Sequence, residues 1–113
     1  MTAYVVRVEG VFLLRGCSSD ELHSIGERVM SELLTLEGGA HRLTDSGVWT
    51  DSEQMLLGLE MSAPTSDDVD LLPELAIESA MRTALHAADV GTPEWRRRAV
   101  SRDEVEEPDL LSA

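Results

Sequence analysis

Several residues in this 113-residue chain are of types that could do chemistry. Cys17 is the single cysteine, and it stands just ahead of a stretch that opens with Ser18 and reads as a helix. Free backbone N–H groups at a helix start stabilise a thiolate, which makes Cys17 a candidate reactive thiol. Metal transfer from such a loop needs a second thiol, and nucleophilic chemistry needs a base nearby. Neither accompanies it, so a small half-buried loop residue is the plainer account. A lone cysteine cannot form an internal bridge, and a reducing cytoplasm is the expected compartment.

The three histidines, His23, His41 and His86, lack the close pairing of a zinc site, such as two His four apart on one helix. They read as surface residues. Asp67, Asp68 and Asp70 begin like a calcium loop but lack the glycine at its sixth position and the glutamate at its twelfth. Carboxylates near a helix start explain them more simply. Arg96-Arg97-Arg98, with Trp95 and Arg102, is the one basic cluster. Basic and aromatic residues together suggest RNA or phosphate binding, yet the central strands carry no base-stacking aromatics. Pairing of these arginines with surrounding acids, within the chain or across a dimer, fits better. No glycine-rich phosphate loop, Ser–His–Asp pattern or paired cysteine motif occurs. The expectation is therefore no catalytic residue, no cofactor and no metal.

The charge balance narrows the partners further. Nine arginines and no lysine face 22 acidic residues, a formal net charge of −13. The excess runs through both halves of the chain. An acidic surface repels phosphate backbones and anionic lipid, so direct nucleic-acid or membrane binding is not expected. The absence of lysine fits a GC-rich or salt-adapted host. At 42% hydrophobic the chain is not disordered, and its length suits one domain with a core of its own. No apolar run is long enough to span a bilayer.

The elements that must position these residues follow from periodicity. Tyr4 to Arg15 alternates as a strand, with Val6, Val8, Phe12 and Leu14 on one face and Val5, Arg7, Glu9, Val11, Leu13 and Arg15 on the other. Ser18 and Glu21 form a capping box. Leu22, Ile25, Val29, Leu33 and Leu36 then mark a helix face, and Gly38-Gly39 ends it. Residues 41–50 form a weaker strand in which Ser46-Gly47 is a bulge or a tight turn. Met55, Leu57, Leu59 and Met61 alternate in a third strand, which Ala63-Pro64-Thr65-Ser66 breaks. A second helix is capped by Ser66 and kinked at Pro73, or else begins regularly at Pro73. Its buried stripe is Ile77, Ala80, Met81, Ala84 and Ala88. Trp95 to Arg102 is a last strand, with Trp95, Arg97, Ala99 and Ser101 on one face and Arg96, Arg98, Val100 and Arg102 on the other.

Strand, helix, strand, strand, helix, strand is the ferredoxin-like βαββαβ order: an α+β domain with a four-stranded antiparallel sheet and two helices on one face. A single domain is expected over residues 1–102, followed by a flexible acidic tail over 103–113 with Leu110-Leu111 as its only anchor. The helices leave the other sheet face open. Val5, Val11, Leu13 and Leu56 gather there with Arg7, Glu9 and Glu60, beside the edge arginines Arg96 and Arg98. The expected function is a non-catalytic protein–protein interaction module, homodimeric through that face (Val5, Arg7, Val11, Leu13, Leu56, Arg96, Arg98) or bound to another protein. Two alternatives have different chemistry. One is a phage-type acidic decoy of a nucleic-acid-binding protein, and the other is a small-molecule-sensing regulatory domain.

Overall fold

A computed structural model describes residues 3–67 and 69–105. The chain folds as β1 (Ala3–Leu13), α1 (Ser19–Thr35), β2 (Thr44–Asp51), β3 (Leu56–Thr65), α2 (Leu72–Ala87) and β4 (Glu94–Val105). The four strands form one antiparallel sheet in the order β2-β3-β1-β4. It is an α+β architecture with two helices.

Register explains the core. Val6, Val8, Gly10 and Phe12 of β1 lie opposite Ala63, Met61, Leu59 and Leu57 of β3. Because strand side chains alternate, all eight residues share one face. Against them pack Leu22, Val29 and Leu33 of α1 and Ile77, Met81, Ala84 and Leu85 of α2, each with at most 1% of its surface exposed. Burying a Leu or Met side chain contributes about 1.5–3 kcal/mol, so this layer supplies most of the driving force for folding.

Local chemistry sets the element ends. Ser18 Oγ accepts from the Glu21 N–H at 3.2 Å while Glu21 Oε1 accepts from the Ser18 N–H at 3.4 Å, the expected capping box. The C-terminus of α1 differs from expectation. The helix closes at Leu36 in right-handed geometry, and Gly38 and Gly39, with positive φ, instead shape the loop that follows. Pro73 sits in the first turn of α2, so of the two readings the regular start at the proline holds. Ser66 caps nothing. Asp70 satisfies a helix-start donor instead, its Oδ1 accepting from the Leu72 N–H at 3.0 Å. Asp68 lies outside the described residues.

Two strand ends differ from expectation, and an irregularity lies within β2. β3 runs through Pro64, which pairs with Val5. The β2 ladder ends at Ser62, so no strand on that side needs the N–H that proline lacks. Of the two readings for Ser46-Gly47 the bulge holds: Asp45 and Ser46 are its residues, and Gly47 is back in register opposite Glu60. β4 continues three residues past 102, with Asp103, Glu104 and Val105 opposite Val5, Tyr4 and Ala3. The rest of the expected tail, residues 106–113 with Leu110-Leu111, lies outside the described residues.

Candidate functional site

β4 departs most from simple alternation. Val11 pairs with Arg97, but the next residue, Phe12, pairs with Trp95. Arg96 is the extra residue of a β-bulge. The bulge reverses the facing of everything before it. Trp95 therefore turns to the helix side and packs on Phe12, ring centroids 4.4 Å apart, instead of joining Arg97, Ala99 and Ser101. Its indole covers Gly10, where an added Cβ would lie 2.6 Å from Trp95 Cζ3.

The same register corrects one expected interface residue. Arg98 lies opposite Gly10 and Arg102 opposite Val6, so both arginines belong to the helix side. Arg98 pairs with Glu78 and, at 3.1 Å, with Glu74; Arg102 pairs with Glu74 at 3.0 Å. These carboxylates belong to α2 and tie the edge strand to it. The Glu78 hydrogen bond, partly offset by desolvation, raises the Arg98 pKa above its usual value. Arg98 is thus a fixed cation turned away from the open face.

The face opposite the helices carries Val5, Arg7, Val11, Leu13 and Leu56; Val11, Leu13 and Leu56 lie together with Arg96 at the rim, and Val5 stands apart from them beyond Arg7 and Glu9. Arg7 Nε donates to Ser62 Oγ at 3.3 Å, and this satisfies a serine that is fully buried. Arg97 Nη2 donates to Glu9 Oε1 at 3.2 Å. Val5, Leu13 and Leu56 are half-buried, whereas Val11 is only 2% exposed. The cause is Trp49. It lies opposite Gly58, which in turn lies opposite Val11. An added Cβ on Gly58 would fall 2.0 Å from Trp49 Cε2. The indole thus lies flat on the glycine and reaches towards Val11.

The result is a shallow groove of about 430 Å3. Val11 and Leu56 line it together with Trp49, the Arg96 and Arg97 pair, and Asp51 and Gln54 from the β2–β3 hairpin. Asp51 Oδ1 accepts from the Glu53 and Gln54 N–H groups at 3.0 and 3.2 Å, which holds the hairpin turn. Among the described residues Arg96 has no ion-pair partner. Apolar side chains, an indole and an unpaired guanidinium can seat an apolar side chain together with a carboxylate. Sequence reasoning missed Trp49, Asp51, Gln54 and Arg97 as parts of this site. The available signal was the parity of β2, since Val48 facing the helices forces Trp49 to the other side.

The other candidates stay apart. Cys17 is a half-buried free thiol packed beside the core, and His23, His41 and His86 are exposed. His23 pairs with Glu27 on its own helix at 3.2 Å, and His86 hydrogen-bonds Thr92. Among the described residues no three His, Cys, Asp or Glu side chains gather as a metal site, and no helix is long and apolar enough to cross a membrane.

No protein-family model matches the chain, and no curated protein matches it. Among solved structures a de novo designed protein, Foldit4, is similar to it, with 11% identity over 94% of this chain and 99% of that one. The TM-score is 0.35, too low for the likeness to carry an argument.

Proposed function

We propose that this chain is a small, non-catalytic, cytoplasmic protein–protein interaction module that forms a homodimer through the open face of a ferredoxin-like sheet. The ferredoxin-like reading rests on the element order and on the strand order β2-β3-β1-β4, with a helix in each of the two connections that link strands other than by a hairpin. One observation carries the dimer: the sheet face that no helix covers bears half-buried Val5, Leu13, Leu56 and Trp49 next to charges of both signs. Leu13, Leu56 and Trp49 form an apolar group around Val11, with Val5 farther along the same face beyond Arg7 and Glu9, and an apolar group rimmed by polar residues favours association. A two-fold axis over β1 and β3 can set Arg7 and Arg97 of one copy against Glu9 and Glu60 of the other, so one surface complements itself.

Sedimentation equilibrium tests it. The expected result is a dimer at micromolar concentration that Leu13→Asp and Val5→Asp convert to a folded monomer. Both side chains are half-buried, so these changes disturb folding less than Val11→Asp would. A clean monomer of the unsubstituted chain at about 100 μM, where a free energy near −5.5 kcal/mol suffices for association, rejects the dimer.

A further inference from the structure

Exposed large hydrophobic side chains are concentrated at one place on the far side of the sheet from the open face. Val69, Leu71, Leu72 and Leu75 expose 74%, 60%, 59% and 58% of their surfaces. Scattered exposed leucines are ordinary, whereas a contiguous group marks an interaction surface. The spacing makes this group contiguous, because Leu71 and Leu72 stand four and three residues before Leu75 and so share one side of the helix start. The core does not require them: α2 meets it with Pro73, Ile77 and Met81 on its other side.

Charge specifies the occupant. Between Ser66 and Glu78 the sequence holds Asp67, Asp68, Asp70, Glu74 and Glu78 and no basic residue. Arg98 and Arg102 balance Glu74 and Glu78. Among the described residues the Asp67 and Asp70 carboxylates have no ion-pair partner and accept the backbone N–H groups of Val69 and Leu72, while Arg102 Nη2 donates to the Asp70 carbonyl at 2.5 Å. The patch is therefore apolar with a border that stays net anionic, since its acids outnumber Arg98 and Arg102, on a chain of net charge −13. A second copy seated there would set two anionic borders against each other, and an anionic membrane would be repelled. We propose that the leucines at the start of α2 dock a basic amphipathic helix of another protein, its leucine-like face on Leu71, Leu72 and Leu75 and its lysines or arginines beside Asp67 and Asp70.

A fluorescein-labelled synthetic Leu/Lys amphipathic helix is the probe, titrated with the full chain and followed by fluorescence anisotropy. The expected result is micromolar binding in about 150 mM salt, where long-range attraction is largely screened. The Leu72→Asp/Leu75→Asp double variant should lose about tenfold in affinity, or about 1.4 kcal/mol. The substitution adds negative charge, so attraction by charge alone would strengthen binding. Equal or tighter binding to that variant overturns the proposal, as does equal binding of a Leu/Glu helix. Leu75→Ser, which adds no charge, should weaken binding in the same direction and serves if the double variant does not fold. Sedimentation of the same variants separates this surface from the dimer face: they should self-associate like the parent. Loss of dimer in Leu72→Asp/Leu75→Asp would make the patch a self-interface and overturn the assignment.

Discussion

Two tryptophans rest on two glycines on opposite faces of one sheet, and their surroundings differ. Trp95 covers Gly10 on the helix side, pressed against Phe12 and close to the interior. Trp49 covers Gly58 on the open side, where only the sheet lies beneath it and a groove beside it. A glycine in a strand lacks a side chain to pack, and a neighbouring aromatic fills the gap. On the helix side the filling completes a core. On the open side it leaves a half-buried indole at the lip of a groove, available to a partner. The helix face is thus built for stability, and among the described residues the open face has one indole, the Arg97–Glu9 pair and the Arg7–Ser62 hydrogen bond to stabilise it.

Truncation of adjacent residues on β1 offers the largest test of that contrast. Phe12→Ala, which removes a ring with 1% exposure, should lower the unfolding free energy by about 3–5 kcal/mol. Leu13→Ala, on the open side and half-buried, should cost about half as much or less in urea unfolding at low protein concentration. Equal losses would mean that the two faces are equally buried, and the contrast would fail.

The glycines test it more finely. A Cβ at Gly10 meets Trp95 at 2.6 Å and Phe12 at 3.1 Å, rings confined by each other. Gly10→Ala should cost about 2–3 kcal/mol by overpacking. Gly58→Ala forces a closer clash, 2.0 Å from Trp49, yet that indole can swing towards water. Its net cost should be about 1 kcal/mol or less, helped by the smaller entropy of the unfolded alanine chain. In a Trp95→Phe background the Trp49 emission should shift to the red as the ring leaves the sheet. An unshifted spectrum with a large stability loss would show Trp49 to be as tightly held as Trp95.

The ion pairs come next in size. Glu74 lies between Arg98 and Arg102, its side chain 15% exposed and that of Arg102 19%. Glu74→Ala leaves Arg102 largely buried without a carboxylate, a loss of about 1–2 kcal/mol. Amide exchange should then speed up along β4 before it does along β3.

The element order and the core of this fold are legible in the sequence because β1, β3 and the buried sides of the helices carry clean periods of two or near four. Ser18 with Glu21 announces the start of α1 for the same reason: local chemistry suffices. Facing fails in β4, where Arg96-Arg97-Arg98 has no apolar alternation to reveal a one-residue bulge. A bulge reverses the facing of every residue before it, which moved Trp95 to the helix side. Arg98 was misassigned separately: its register opposite Gly10 puts it on the helix side, where Glu74 and Glu78 of the preceding helix pair with it. Pro64 misled for a related reason. Proline ends a central strand, but whether a neighbouring strand still needs its N–H depends on where β2 stops pairing. The leucines at 71, 72 and 75 stood in plain view, but nothing local distinguishes a water-facing leucine from a buried one until Pro73 fixes the start of α2.

The smallest expected effect bears on whether the open face holds itself together. Arg97 and Glu9 pair across β4 and β1 at 3.2 Å, with 64% and 30% of their side chains exposed. An exposed pair contributes about 0–1 kcal/mol, so Arg97→Ala should scarcely change the unfolding free energy of the monomer. Its effect on association should be greater than on folding, because removing a charge at the rim of an interface slows encounter and changes the salt dependence. The measurement is the dimer dissociation constant of Arg97→Ala at two salt concentrations, alongside its unfolding in urea. A shift in dissociation with unchanged stability marks Arg97 as part of a surface made for a partner. A shift in stability alone would mean that the open face, like the helix face, spends its side chains on the fold.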